Sequence, residues 1–106
     1  MKMARQGDVL FLKVSSIPKD SVEEKRNGPI VVAHSETGHH HVVKDPAARL
    51  FNTDNPLISY LRLEGPVQVD HLRDFHTHGS ISLNGGCWEI RRQREHAPEG
   101  WRRVQD

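Results

Sequence analysis

Cysteine is nearly missing from this chain: Cys87 is the only one in 106 residues. No intrachain disulfide can staple the fold, and a reducing, cytoplasmic setting is the simplest expectation. Aromatic residues make up 6% and apolar residues 35% of the sequence, below the usual share for a globular domain. That predicts a thin core that depends on well-patterned strands, and it favours association with a second copy. An excess of one charge is also lacking, since 15 Lys and Arg against 14 Asp and Glu leave +1. A strong global pull on nucleic acid or membrane is thereby excluded. The opening MKMARQGDVLFLKV is broken by Lys13 and is too short and too interrupted for a signal peptide or a membrane span, so no membrane partner is expected. No Gly-x-Ser-x-Gly elbow, phosphate-binding glycine loop, paired-cysteine zinc motif or dinucleotide fingerprint is present, which argues against serine hydrolysis and nucleotide-cofactor chemistry.

The length suits residues 1–106 as a single domain with one modest core. Apolar residues come in short runs broken by Gly, Pro, Asn and Asp, and none sustains the helical i, i+3, i+4, i+7 spacing. The pattern predicts an all-β fold: a single small antiparallel β-barrel or sandwich of about eight strands, jelly-roll-like in outline. DVLFLKV (8–14) reads as the first strand, fed by a turn at Gln6–Val9 in which Asp8 bonds nearby backbone. Ser21 to Arg26 reads as one helical turn. ARLFN and LISYLRLEG read as strands joined by Asp54-Asn55-Pro56, and SISLNGGCWEIRRQRE reads as a last hairpin about Asn84-Gly85-Gly86. His96 falls in a loop, and the tail after it returns Trp101 toward the body.

What is abundant is histidine. Four of the eight histidines lie within VVAHSETGHHHVVK, Val31 to Lys44. Two β-rich runs flanking Thr37-Gly38 read as a hairpin, and with those two residues at its tip Glu36 faces His39, His34 faces His41 and Val32 faces Val43. Alternation then puts His34, Glu36, His39 and His41 on one face, with Ser35 and His40 on the other. Opposed Cβ atoms lie about 4.5 to 5.5 Å apart, close enough for imidazoles to converge at the ~2.0 to 2.1 Å zinc–nitrogen distance. A three-residue turn would slip this register and remove His34. A second group, VDHLRDFHTHGS, offers another H-x-H in His76 and His78, which can complete the set if the sheet brings it over the first. The expected ligands of a divalent ion (Zn, Fe, Mn or Ni) are therefore His34, His39, His41, His76 and His78, with Glu36 as ligand or base. His40 is expected at the surface. Without a metal, the same imidazoles would repel on protonation, and stability would fall below about pH 6.5.

The pairing of GHHH with the later HGSISLNGGCWEI resembles part of the cupin pattern, in which an H-x-H strand and a glycine-turn hairpin supply metal ligands in a small β-barrel. The cupin glutamate after H-x-H has only Asp45 near its place, and Trp88 stands near the place of the later cupin histidine. The strings RQGDVLFL, TGHHHVV and RRQRE also resemble small uncharacterised prokaryotic and phage-type proteins, a resemblance that implies no activity but makes Cys87 a packing residue.

A rival reading comes from the C-terminus, where Arg91, Arg92, Arg94, Arg102 and Arg103 accompany Trp88 and Trp101. Arginine and tryptophan together can hold phosphates and stack bases, while Glu89, Glu95 and Glu99 can neutralise them. The sequence thus leaves two classes open. One is a small intracellular protein with a histidine-lined metal site, either binding a ligand or hydrolysing with metal-activated water. The other is a non-catalytic assembly module that contacts protein or nucleic acid through its arginine-rich hairpin.

Overall fold

Strand pairing uses the alternation of the sequence almost everywhere. The computed structural model describes residues 2–25, 28–33, 40–72, 80–92, 94–97 and 100–103. They form β1 (Met3–Gln6), β2 (Val9–Val14), β3 (Val22–Glu24), β4 (Ile30–Ala33), β5 (His40–Val43), β6 (Arg49–Asn52), β7 (Ile58–Leu63), β8 (Val67–Leu72), β9 (Ile81–Leu83), β10 (Gly86–Arg92), β11 (Arg94–Ala97) and β12 (Gly100–Arg103). A six-stranded antiparallel sheet runs β1-β2-β10-β7-β6-β3, a four-stranded one runs β4-β5-β8-β9, and β11 pairs with β12. No helix occurs among the described residues, so none is long and apolar enough to cross a membrane. The architecture is the expected all-β one, a small open sandwich and not a closed barrel.

Val9 and Phe11 of β2, Leu50 of β6, Leu61 and Leu63 of β7, and Trp88 and Ile90 of β10 face Ile30, Val32, Val43, Val69 and Leu83 of the smaller sheet in one buried cluster. Trp88 and Phe11 are completely buried, so a sequence with few aromatics spends them at the centre. Each fully buried side chain of this size contributes about 1.5–3 kcal/mol by leaving water.

Four local expectations are corrected. A strand, β1, precedes the one read at Asp8, because Gly7 adopts φ 59° and reverses the chain in a two-residue turn that pairs Gln6 with Val9. Positive φ at the first central residue followed by negative φ is the type II′ hairpin pattern, which glycine accepts without strain. Val22–Glu24 is an edge strand on β6, not a helical turn. Three residues cannot nucleate a helix cheaply, whereas pairing with β6 satisfies their backbone. The LNGG turn does not close a hairpin: β9 pairs with β8 and β10 with β2 and β7. The turn is a corner between sheets, and it lets Leu83 and Trp88 enter the core from opposite sides. His96 lies on strand β11, not in a loop.

The histidine hairpin is also shifted. Ile30 pairs with Val43, Val31 with Val42, and Ala33 with His41, with a bulge between Val31 and Ala33. The expected partners Val32–Val43 and His34–His41 are therefore not formed. The slip sets Ile30 opposite the buried Val43 while Val32 is also buried in the core, and the extra residue of the bulge absorbs the difference.

Candidate functional site

His41 is 1% exposed, and its place follows from β5: it shares the inner face with Val43, two residues along. The ring is held by Gln6, the last residue of β1. Gln6 Nε2 donates to Val69 O at 2.9 Å, a bond that crosses from one sheet to the other. The amide NH₂ must face that carbonyl, so Gln6 Oε1 is left to accept, and it lies 2.7 Å from His41 Nδ1. The network thus assigns the proton to Nδ1. His41 Nε2 then points toward Asp8, with Oδ1 at 3.7 Å, beyond hydrogen-bond distance. All three residues also take part in further contacts.

Chemically, this unit is a histidine whose orientation and tautomer are fixed by a buried amide, presenting its second nitrogen beside a carboxylate that is only 20% exposed. A fixed Nδ1–H is the arrangement that raises the basicity of the other nitrogen and aims it. Two further features surround it. β8 pairs with β5 so that His71 stands directly opposite His41 and Leu72 opposite His40. The ends of β4, β5, β8 and β9 that flank residues 34–39 and 73–79 all lie at this end of the smaller sheet.

Of the expected ligands, His41 is in the site. His34, Glu36, His39, His76 and His78 lie outside the described residues, as do the imidazole neighbours on which the expected loss of stability below pH 6.5 depends. Among the described residues no group of three or more His, Cys, Asp or Glu side chains converges. The segment of the second histidine group does meet the first, through the His41–His71 pairing. The sequence alone does not single out Gln6 as a positioning residue, and it makes Asp8 a turn former first and a catalytic residue only if the strand end points into the histidine pocket. The signal available was the two-residue turn itself, which returns Asp8 to the end of the strand beside Gln6.

The cupin analogy loses its second ligand place, since Trp88 is fully buried and its Nε1 donates to Asn84 O at 2.9 Å. Cys87 is half-buried, opposite Val14 and Arg62 on the outer face of the larger sheet. Of the C-terminal arginines, Arg91 and Arg92 do not share a face. Arg91 is exposed and ion-paired with Glu89; Arg92 is on the opposite, inner face, where it bonds Pro56 O. In the β11–β12 hairpin Arg94 stands opposite Arg103, His96 opposite Trp101, and Glu95 opposite Arg102.

No curated protein and no solved structure matches the chain. One family does: its model covers residues 5–93, a span that holds Gln6, Asp8, His41 and Arg92 and stops short of the β11–β12 hairpin. The chain belongs to this family, described as a domain of unknown function (DUF8820).

Proposed function

We propose that the protein holds a divalent metal ion between His41 and Asp8, completed by histidines of segments 34–39 and 73–79. The observation that carries this reading is the hydrogen-bond chain from Val69 O through Gln6 to His41 Nδ1, which turns His41 Nε2 toward the Asp8 carboxylate. The 3.7 Å between Nε2 and Oδ1 is close to the ~3.3 Å that separates two ligands at tetrahedral angles around zinc. An imidazole and a carboxylate suit zinc, iron, manganese or nickel better than calcium or magnesium. An ion so placed would polarise a bound anion or lower the pKa of a bound water.

The test is elemental mass spectrometry on untagged protein prepared without chelator or metal-affinity resin, beside a His39→Ala, His41→Ala double variant. Near-stoichiometric metal in the parent that is lost in the variant is the expected result. A metal-free parent would leave His41 and Asp8 as a structural contact between β5 and the Gly7 turn and refute the metal reading.

A second reading is favoured by the β11–β12 register. Like charges at one cross-strand position are destabilising, and the register that pairs Arg94 with Arg103 would suit an acidic partner, either nucleic-acid phosphate or an acidic protein surface. A docking module of this kind would bind its partner less as salt rises, and His41→Ala would leave that binding intact.

A further inference from the structure

A cavity of about 290 Å³ opens between the sheets toward the β6–β3 side. None of Gln6, Asp8 and His41 lines it. Its origin is a break in patterning. The alternation that sends Leu50 and Leu61 into the core also puts the half-buried Ser59 and the exposed Asn52 on the same face, because the two pairs lie one alternation apart in the β6–β7 register. Glu24, opposite Leu50, shares that face, and so does Arg92, one alternation beyond Ile90. Four adjacent strands, β10, β7, β6 and β3, therefore each put a polar residue where a sandwich ordinarily places a core hydrophobe. Val31, Val32, Leu50 and Ile58 supply the apolar wall.

The polar groups are held in place. The Arg92 guanidinium donates to Pro56 O, and Glu24 Oε1 accepts from Asn52 Nδ2 at 3.0 Å. Arg92 and Glu24 come from strands three places apart and are offset by four residues along them, since Glu24 aligns with Leu50, Leu61 and Trp88, which sets their backbones about 20 Å from each other so that only their long side chains reach toward the middle. The cavity thus has a cationic region, an anionic region and apolar lining in between. Its volume falls just below the ~300 Å³ at the lower end of small-molecule sites, which limits the ligand to about the size of an amino acid.

We propose that this cavity binds a small aminocarboxylate, with its carboxylate on Arg92, its ammonium on Glu24 and Asn52, and its methylene chain against Val32 and Leu50. The planar fork of arginine matches a carboxylate bidentately, and Glu24 is the complementary site for an ammonium. The assignment does not depend on the metal reading, since the two sites share no residue.

The test is an NMR titration of the full, untagged chain with glycine, 4-aminobutyrate and 6-aminohexanoate. The carboxylate and the amine of matching length serve as single-charge controls. At least one aminocarboxylate is expected to shift the backbone amides of Asn52, Ser59 and Arg92 saturably, at least tenfold more tightly than either control. Arg92→Gln and Glu24→Gln should each weaken it tenfold or more, and Arg92→Lys, which keeps the charge and the fold but not the fork, should weaken it less than Arg92→Gln. Shifts that stay linear for all three aminocarboxylates, equal affinity for the single-charge controls, or unchanged affinity in folded Arg92→Gln and Glu24→Gln would each overturn the assignment.

Discussion

The two ends of the sandwich use polar groups for opposite purposes. At the LNGG end they close turns. Lys13 Nζ bonds Gly85 O and lies 5.0 Å from the centre of the Trp88 ring, while the Trp88 Nε1 donates to Asn84 O. A Cβ on Gly85 would come within 3.1 Å of Gly65 Cα, so two turns pack backbone to backbone there. Side-chain donors at this end terminate on main-chain oxygens, and the arrangement is complete in itself. At the QGD end the chain of bonds runs from main chain through Gln6 to a titratable ring that faces Asp8. Polar groups at the first end are satisfied on nearby main chain, whereas those at the second link the two sheets through side chains.

Substitutions at each end should separate the two roles. The largest loss is expected from Trp88→Ala, about 3–5 kcal/mol in denaturant unfolding, with folded protein keeping any metal. Gln6→Leu should cost about 2 kcal/mol, because the Val69 carbonyl and His41 Nδ1 lose a buried partner, and unlike Trp88→Ala it should also weaken metal binding. Lys13→Met should cost about 1 kcal/mol, from one charge-assisted bond to a turn carbonyl and a cation–π contact, with metal binding unchanged. Equal effects of Gln6→Leu and Lys13→Met on metal affinity would erase the distinction between the ends.

The smallest effect is expected on the outer face of the larger sheet, away from both ends. Burial raises the Tyr60 phenol above its ordinary value, and the Glu89 carboxylate that accepts its hydroxyl proton adds to this, with Arg91 pulling the other way. A raised folded-state pKa contributes stability that is present below the unfolded value near pH 10 and is lost as pH rises through the folded value. Stability should therefore decline above about pH 10. Tyr60→Phe should flatten that decline in thermal unfolding curves; an identical decline in the variant would put its origin elsewhere.

How far the sequence could be read varies with what each segment depends on. The β6–β7 hairpin was legible because its turn is self-contained: Thr53 Oγ1 accepts from Asn55 N and Asn55 Oδ1 from Leu57 N. The LNGG corner was not, since Asn-Gly signals a reversal but does not say which strands it separates. The all-β class was visible in alternation, and so was the place of His41 on a strand. Its register was not, because the bulge that sets it answers to the burial of Ile30, Val32 and Val43 together. Gln6 was hidden for a further reason. MARQ carries no strand-like alternation, and the bond that defines the role of Gln6 reaches a residue 63 positions away, a contact that only the packing of two sheets creates.

The most direct measurement is a cobalt(II) titration of metal-free protein followed by visible absorption. The account expects a saturable ligand-field band at one equivalent. Asp8→Asn and His41→Gln should bind at least tenfold more weakly, and Gln6→Leu should lose about 10–100-fold through the ring it no longer orients. A band of equal intensity and affinity in the parent and in His41→Gln, or no band in the parent at all, would contradict a metal centre at His41 and Asp8.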